Sequence, residues 1–484
     1  MLVVKCSEEQ FIYDIHSLVK AFYPAQDVKV FKEGDKTLAS SDGLPELFIF
    51  FEKNKIVIEL REENQNIKSE TVLDAEKTER AEYKNVLKQQ IYQLLSNYTG
   101  KKLPWGTLTG IRPTKIAYGM LEQGIADTRI CDYMQEHYYA SEEKSKLAVD
   151  IAKREMEILK AVHYEKGYSL YMGIPFCPTT CLYCSFTSFP ICAYKGKVKE
   201  YLLALKKEIQ YVKENFNDKI LDSVYIGGGT PTTLEPDELE ELISYLRQNL
   251  NFSNVKEFTV EAGRADSITK EKLMVLKKYG VSRISVNPQT MRDETLKLIG
   301  RNHTVAQVRE AFALAREVGF TNINMDLILG LPDETAEDVK YTLDEIKKLS
   351  PDSVTVHSLS IKRASRLHQW IEENDISCMN NTDEMVHMTE IAAREMDMYP
   401  YYLYRQKNMS GNFENVGYAK ENCYGLYNIL IMEEKQTIVA LGAGTISKRV
   451  FADGRVERCD NVKDVNLYLE QIDDMIQRKR KLFL

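Results

Sequence analysis

Tyr171-Met-Gly-Ile-Pro-Phe-Cys-Pro-Thr-Thr-Cys-Leu-Tyr-Cys-Ser-Phe186 carries three cysteines, Cys177, Cys181 and Cys184, in a Cys-x3-Cys-x2-Cys pattern directly after a short apolar stretch. Three thiolates in one short loop can ligate three irons of a [4Fe–4S] cube. No fourth cysteine follows at a matching spacing, which leaves one iron open for a small molecule. A tetrahedral zinc site pairs two Cys-x2-4-Cys elements or adds histidines at fixed offsets, so zinc fits less well. Three cysteines used as small buried apolar side chains are the plainest alternative. They would be expected to follow a strand or helix period rather than crowd one loop.

Outward from this stretch, short apolar runs alternate with amphipathic helical patterns. Strands are expected at 169–174, 223–226, 257–261, 283–286, 322–328 and 353–357, with helices at 198–215, 237–250, 269–279, 305–318 and 336–349. Such alternation makes a parallel sheet, because each crossover lays a helix over the sheet face. Six units give an α/β fold, a partial TIM-like (β/α)6 barrel rather than the closed eightfold form. Ligands of such sheets sit at the carboxyl ends of the strands, and the cysteine loop follows the first strand, which puts the metal at that mouth.

Upstream, strand-like Leu2 to Val4, a helical stretch over 8–22, Val28 to Val30 and a hairpin turning at Lys53-Asn54 suggest a small α/β module. A helix over 74–98 stops at Gly100, and further helix runs to about Leu159. Downstream of about residue 376 the alternation ends in a tyrosine- and asparagine-rich stretch, strands at 436–441 and 448–451, and a helix from Val462. The chain thus divides into an α/β module (1–100), a helical connector (101–165), the barrel (166–375) and a C-terminal α+β lid that encloses substrate (376–484).

The 484 residues are long enough for two or three such units, and their net charge is −8. The sequence pI is near 5.7. That balance disfavours a phosphate-backbone partner, so no nucleic acid is expected. The N-terminus becomes charged too soon for a signal peptide, and no apolar run reaches bilayer length. A cytoplasmic protein with no membrane span is expected. Nine cysteines form no dense disulfide scaffold, in keeping with reduced thiols, and an exposed cluster with an open iron calls for anaerobic conditions.

The motifs and their order resemble the radical S-adenosylmethionine (SAM) enzymes, and within them the oxygen-independent coproporphyrinogen III oxidase (coproporphyrinogen dehydrogenase) family in its HemZ-type branch. The resemblance rests on the cysteine loop, Gly227-Gly-Gly-Thr-Pro-Thr232, Glu261, Ser285-Val-Asn-Pro-Gln289, Ile299-Gly-Arg-Asn-His303 and Asp326-Leu-Ile-Leu-Gly-Leu-Pro332. It implies a [4Fe–4S] cluster on Cys177, Cys181 and Cys184, and SAM held by Tyr171, Gly228, Gly229, Thr230, Glu261, Gln289, Arg301 and Asp326. The chemistry is consistent: bare glycine backbone approaches a ligand closely, carboxylates and amides suit ribose hydroxyls, and a guanidinium suits the methionine carboxylate. No catalytic side chain is assigned from the sequence.

Further implied features are tetrapyrrole contacts from Tyr402-Leu-Tyr-Arg-Gln-Lys-Asn408, Gly417-Tyr418, Asn428 and Gly442-Ala-Gly444. Lys362, Arg363 and Arg366 are candidates for pairing with substrate propionates. The implied reaction converts two coproporphyrinogen III propionates to vinyl groups, giving protoporphyrinogen IX in porphyrin and haem biosynthesis. The implied partners are a tetrapyrrole and an electron donor such as flavodoxin or ferredoxin, with the chain a monomer. Two positions depart from the best-known dehydrogenases: Gly173 stands where they carry His, and Phe186 where they carry a further Cys. His357 is a candidate for the missing imidazole. Two alternatives stay open: a radical SAM enzyme that alkylates or opens haem, and a haem-binding chaperone with a [4Fe–4S] cluster.

Overall fold

A computed structural model describes residues 1–24, 26–32, 43–62, 65–110, 112–360, 366–374, 381–405 and 413–484. The first element group is a five-stranded sheet of β1 (Leu2–Cys6), β2 (Val28–Lys32), β3 (Glu46–Glu52), β4 (Lys55–Glu62) and β5 (Gln65–Val72), in the order β2-β1-β3-β4-β5. Helices α1 (Ile12–Phe22) and α2 (Arg80–Thr99) join it, and Ile15, Leu18, Phe22, Leu87 and Ile91 close a core separate from the rest of the chain. The hairpin turns at Lys53-Asn54 as expected. Strand β5 was not expected from the sequence: its residues alternate between exposed and half-buried and include Gln65, Asn66, Lys68 and Glu70. Helix α2 starts later than the expected residue 74, because Asp74 Oδ1 accepts from Glu76 N at 3.0 Å and closes a turn there. Gly100 ends it with a φ of 68°.

Three connector helices, α3 (Thr114–Glu122), α4 (Asp127–Tyr138) and α5 (Glu142–Leu159), pack into the main core. The barrel then begins with β6 (Gly167–Ile174), followed by the two-residue pair β7 (Phe176–Cys177) and β8 (Phe189–Pro190). Its other strands are β9 (Ile220–Gly228), β10 (Glu257–Glu261), β11 (Arg283–Ser285), β12 (Ile323–Leu329) and β13 (Ser353–Ser358). Between them run α6 (Val198–Asn215), α7 (Pro236–Asn249), α8 (Lys270–Lys278), α9 (Asp293–Leu298), α10 (Val305–Val318) and α11 (Ala336–Leu349). Each strand pairs in parallel with the next, from β6 through β13. Helices α10 and α11 open with capping boxes from Thr304 and Thr335, which fix where each crossover turns back over the sheet.

The remaining elements are α12 (Arg366–Asn374), α13 (Asp383–Glu395), β14 (Tyr399–Tyr404), β15 (Asn415–Ala419), α14 (Leu426–Glu433), β16 (Thr437–Leu441), β17 (Ile446–Val450), β18 (Val456–Asp460), α15 (Val465–Glu470) and α16 (Ile472–Phe483). These C-terminal strands continue the barrel sheet at both of its edges. Strand β15 lies antiparallel to β13 with β14 outside it, and β16 lies parallel to β6 with β17 and β18 beyond. Among the described residues the result is one eleven-stranded sheet whose ends, β14 and β18, do not pair with each other. One hydrophobic core runs from Trp105 to Met475. Helix α14 packs against β9, β14 and α5. The Glu257 carboxylate at the base of β10 accepts from Leu426 N at 2.5 Å and Tyr427 N at 3.4 Å, capping that helix inside the barrel. Among the described residues, no helix is long and apolar enough to cross a membrane.

Candidate functional site at the barrel mouth

The cysteine loop leaves β6 at the carboxyl end of the sheet and is held by long-range contacts. Leu182 N donates to Ile299 O at 2.9 Å, and Thr179 Oγ1 donates to Gly300 O at 3.1 Å. Two buried arginines complete the clamp. Arg301 makes four hydrogen bonds: Nε and Nη2 donate to the Tyr183 hydroxyl at 3.2 and 3.1 Å, and Nη1 donates to Gly263 O and Asn287 O at 3.3 and 2.5 Å. Arg264 donates to Thr179 Oγ1 at 3.1 Å and approaches Cys181 Sγ at 3.6 Å, while Asp266 pairs with it at 2.7 Å. Arg264 was not anticipated from the sequence; its only signal is its place three residues beyond Glu261.

Cys177 is buried, and Cys181 and Cys184 are partly exposed. Burial pushes the Cys177 thiol up to about 11, although Thr230 Oγ1 donates to its sulfur at 3.4 Å. A bound cation reverses that balance, since a coordinating thiol is deprotonated outright. A cavity of about 330 Å³ opens over Thr180, Cys181, Cys184, Phe186, Ser188 and Arg366. The glycine run of β9 lies directly against the loop: Gly229 N donates to Ile174 O at 2.8 Å, and Thr230 N to Phe176 O at 2.7 Å. A Cβ on Gly229 would stand 2.7 Å from Phe176 O and 3.0 Å from Cys177 Sγ, so no larger residue fits beside the cysteine.

The strand ends complete the mouth. Tyr171 on β6 stacks with Tyr225 and Tyr427 at ring separations of 6.0 and 5.6 Å. Burial pushes the Glu261 carboxyl up to about 7, against the pull of the Tyr225 hydroxyl that donates to it at 2.5 Å. Gln289 holds a left-handed backbone with φ of 70°, pinned by Gln289 N to Asp326 O and Ile328 N to Gln289 O, both 2.9 Å. Its Oε1 is buried without a protein partner. A strained non-glycine residue presenting an orphan acceptor is a feature of ligand sites. Burial opposes ionisation of Asp326, but His357, Asn324 and Arg283 together bring its carboxyl below the usual range. Asn324 Nδ2 donates to it at 2.6 Å, and His357 Nε2 stands 3.7 Å away. His357 Nδ1 in turn meets the Tyr404 hydroxyl at 3.1 Å.

The structure therefore brings Tyr171, Gly228, Gly229, Thr230, Glu261, Gln289, Asp326 and His357 to the strand ends below the cysteine loop, and places Arg301 between that loop and the segments after β10 and β11, its guanidinium donating to Tyr183 and to the Gly263 and Asn287 carbonyls. Lys362, Arg363 and residues 406–408 lie outside the described residues. Gly442-Ala-Gly444 sits against the first barrel strand: Gly442 N donates to Glu208 Oε2 at 2.7 Å and Ala443 N to the Tyr201 hydroxyl at 3.0 Å, while that hydroxyl donates to Gly173 O at 2.7 Å. At Gly173 an added Cβ would lie 2.6 Å from Thr445 Cγ2. The threonine methyl fills the room a histidine there would need.

Comparison with known proteins bears on this geometry. The family model for the Radical SAM superfamily matches residues 171–346, the stretch from the first barrel strand to the fifth crossover helix. The chain is 40% identical over 403 residues to the oxygen-independent coproporphyrinogen-III oxidase-like protein HemZ of Bacillus subtilis, covering 82% of this chain and 80% of that protein. It belongs to the radical SAM family, among the HemZ-type coproporphyrinogen III oxidase-like proteins.

A more distant relative is the heme chaperone HemW of Bacillus subtilis, 33% identical over half of this chain and 63% of that protein. Oxygen-independent coproporphyrinogen III oxidase of Salmonella typhimurium is 25% identical over 64% of this chain and 66% of that enzyme. Among solved structures, coproporphyrinogen III oxidase (HemN) from Escherichia coli superposes with a TM-score of 0.52 at 22% identity, covering 66% of this chain and 73% of that one, which shows the shared fold. As a radical SAM protein the chain uses a [4Fe–4S] cluster and SAM. The mouth fits both groups: two cysteine sulfurs lining a cavity with a third, on Cys177, buried behind it, a backbone stripped of Cβ next to Cys177, and an amide oxygen on Gln289 that no described residue partners.

Proposed function

We propose that this radical SAM protein oxidatively decarboxylates coproporphyrinogen III. The observation that carries the reading is the pairing, at one mouth, of a three-cysteine loop with a strand-end amide oxygen, Gln289 Oε1, that no described residue partners. Cys177, Cys181 and Cys184 would hold three irons of the cluster, leaving one iron open to take SAM. Gly228, Gly229 and Thr230 offer backbone to the methionine end, while Glu261, Gln289 and Asp326 take the ribose and adenosyl hydrogen bonds above the Tyr171 and Tyr225 rings. Arg301 acts through Tyr183, keeping Cys184 in place. When bound and reduced, the cluster supplies the electron that cleaves the S–C5′ bond of SAM to a 5′-deoxyadenosyl radical. The barrel fixes the target hydrogen and excludes water. Loss of one hydrogen atom from a propionate β-carbon, release of carbon dioxide and transfer of one electron to an outside acceptor leave a vinyl group. Two rounds give protoporphyrinogen IX.

Two observations favour a second reading, a haem carrier like the chaperone relative. Thr445 closes the space at Gly173, and Phe186 stands where dehydrogenases carry a further cysteine. Anaerobic cluster-loaded protein, SAM, a strong reductant and coproporphyrinogen III decide between them. Loss of two carboxyl groups per substrate, with two deoxyadenosines released, supports the enzyme. Stoichiometric haem binding with no change in porphyrinogen mass overturns it.

A further inference from the structure

We infer that Arg264 is a positioning residue that sets the reduction potential of the cluster by donating a charged hydrogen bond to the sulfur of Cys181, an inference that rests on Cys177, Cys181 and Cys184 holding that cluster. Each sulfur has a polar partner in reach. Thr230 Oγ1 donates to Cys177 at 3.4 Å and Ser188 Oγ lies 3.5 Å from Cys184, both neutral hydroxyls. Cys181 instead meets Arg264 Nη1 at 3.6 Å. Hydrogen bonds to the sulfurs and the charge around them set the potential of an iron–sulfur cluster, and a bond from an ionised donor is roughly twice as strong as a neutral one. Arg264 is only 3% exposed, so water and salt screen its charge little.

The guanidinium is held in one orientation, because every N–H of its fork finds an acceptor. Nη1 serves Cys181 Sγ and, at 3.3 Å, Thr179 O; Nη2 serves Thr179 Oγ1 at 3.1 Å and Asp266 Oδ2 at 2.7 Å; Nε serves Asp266 Oδ1 at 2.9 Å. The turn that carries it is braced toward the glycine run. Ser267 Oγ donates to Arg264 O at 2.7 Å and lies 2.7 Å from Thr232 Oγ1, while Lys272 Nζ donates to Thr232 O at 2.7 Å and to Ser267 O at 3.2 Å. Asp266 has an effect of its own: its bidentate carboxylate cancels part of the charge that Arg264 imposes on the sulfur. Reduction takes one electron from an external donor into the cluster, and no bond in the chain forms or breaks. The cation at Cys181 favours that more negative state, and Asp266 opposes it.

The test uses full-length protein loaded with cluster under anaerobic conditions, and reads the midpoint potential from the EPR signal of the reduced cluster as dithionite is titrated in. Arg264→Gln should lower the midpoint, cutting the reduced-to-oxidised ratio at a fixed poise about tenfold, or about 59 mV for one electron. Arg264→Lys keeps the charge but loses the planar fork, and should lie between that variant and wild type. Asp266→Asn should move the midpoint the other way, raising the ratio about threefold. A residue that only braced the loop would lower iron and sulfide per chain in every variant and give no shifts of opposite sign. An unmoved midpoint in Arg264→Gln, or shifts of one sign in Arg264→Gln and Asp266→Asn, overturns the inference. If Arg264→Gln retains no cluster, Asp266→Asn decides alone: only a raised midpoint supports the inference, and loss of the cluster there too overturns it. Wild type that never takes up one cube of iron and sulfide per chain would sink the three-cysteine reading instead, and is scored before any variant.

Discussion

The two ends of the barrel are built on opposite plans. At the base the chain fills the sheet with itself: α14 enters, Glu257 caps its first amides, and buried Arg283 donates to Ser353 Oγ at 3.0 Å. At the mouth the chain stops short. Gln289 Oε1 has no protein partner, and the two outer cysteines face a cavity. Buried polar groups are normally satisfied within a protein; Arg283 Nε, Ser223 Oγ and Thr259 Oγ1 are buried orphans within the strands, but Gln289 Oε1 is the orphan that a left-handed backbone holds at the strand ends beside the cysteine loop. The base is therefore expected to govern stability, and the mouth ligand affinity.

The sharpest way to break this contrast is Cys181→Ala. It should abolish cluster retention, read as iron and sulfide per chain and loss of visible absorption, while the urea midpoint of the apoprotein moves little. Full cluster content in that variant would end the mouth assignment. At the base, Glu257→Ala leaves two helix amides without their acceptor and removes the charge that faces buried Arg283. About 3 kcal/mol of stability should be lost in urea titrations, with SAM affinity unchanged in the folded fraction.

A further effect is a pH dependence carried by Glu261. Its carboxyl is raised from 4.5 to about 7 in the folded state, so between those values the native protein keeps a proton that the unfolded chain has released. Stability from this group is full below about pH 4.5 and is lost as pH rises through 7, by roughly 3 kcal/mol. Glu261→Gln should remove that slope, and the difference between the two stability–pH curves isolates this carboxyl. Smallest of the four, Gln289→Ala should weaken SAM binding about tenfold while shifting stability by under about 1 kcal/mol. A large stability loss there would mean that the orphan amide belongs to the scaffold.

The barrel strands were readable because each is a short apolar run followed by a helical period, and the observed strands start within three residues of the expected positions. Strand β5 was not readable, because its side chains are largely polar and it pairs on one side only. Nor was the seating of β16 beside β6, which joins Val439 to Leu170 across most of the chain. The cysteines announced themselves by spacing. Arg264 did not, since an isolated arginine carries no pattern, and its meaning comes from where the fold carries Thr179 and Cys181. The left-handed backbone of Gln289 was equally hidden, because nothing in Asn287-Pro-Gln289 demands a positive φ.

The seating of Thr437–Leu441 against Gly167–Ile174 also dictates an order of events in the cell. During synthesis the outer edge of the first barrel strand stays bare while more than two hundred further residues emerge, an exposed sheet edge of the kind that invites mispairing. Truncation before Thr437 should therefore bare the β6 edge beside the cysteine loop, lowering cluster retention, read as iron per chain, before helix content falls.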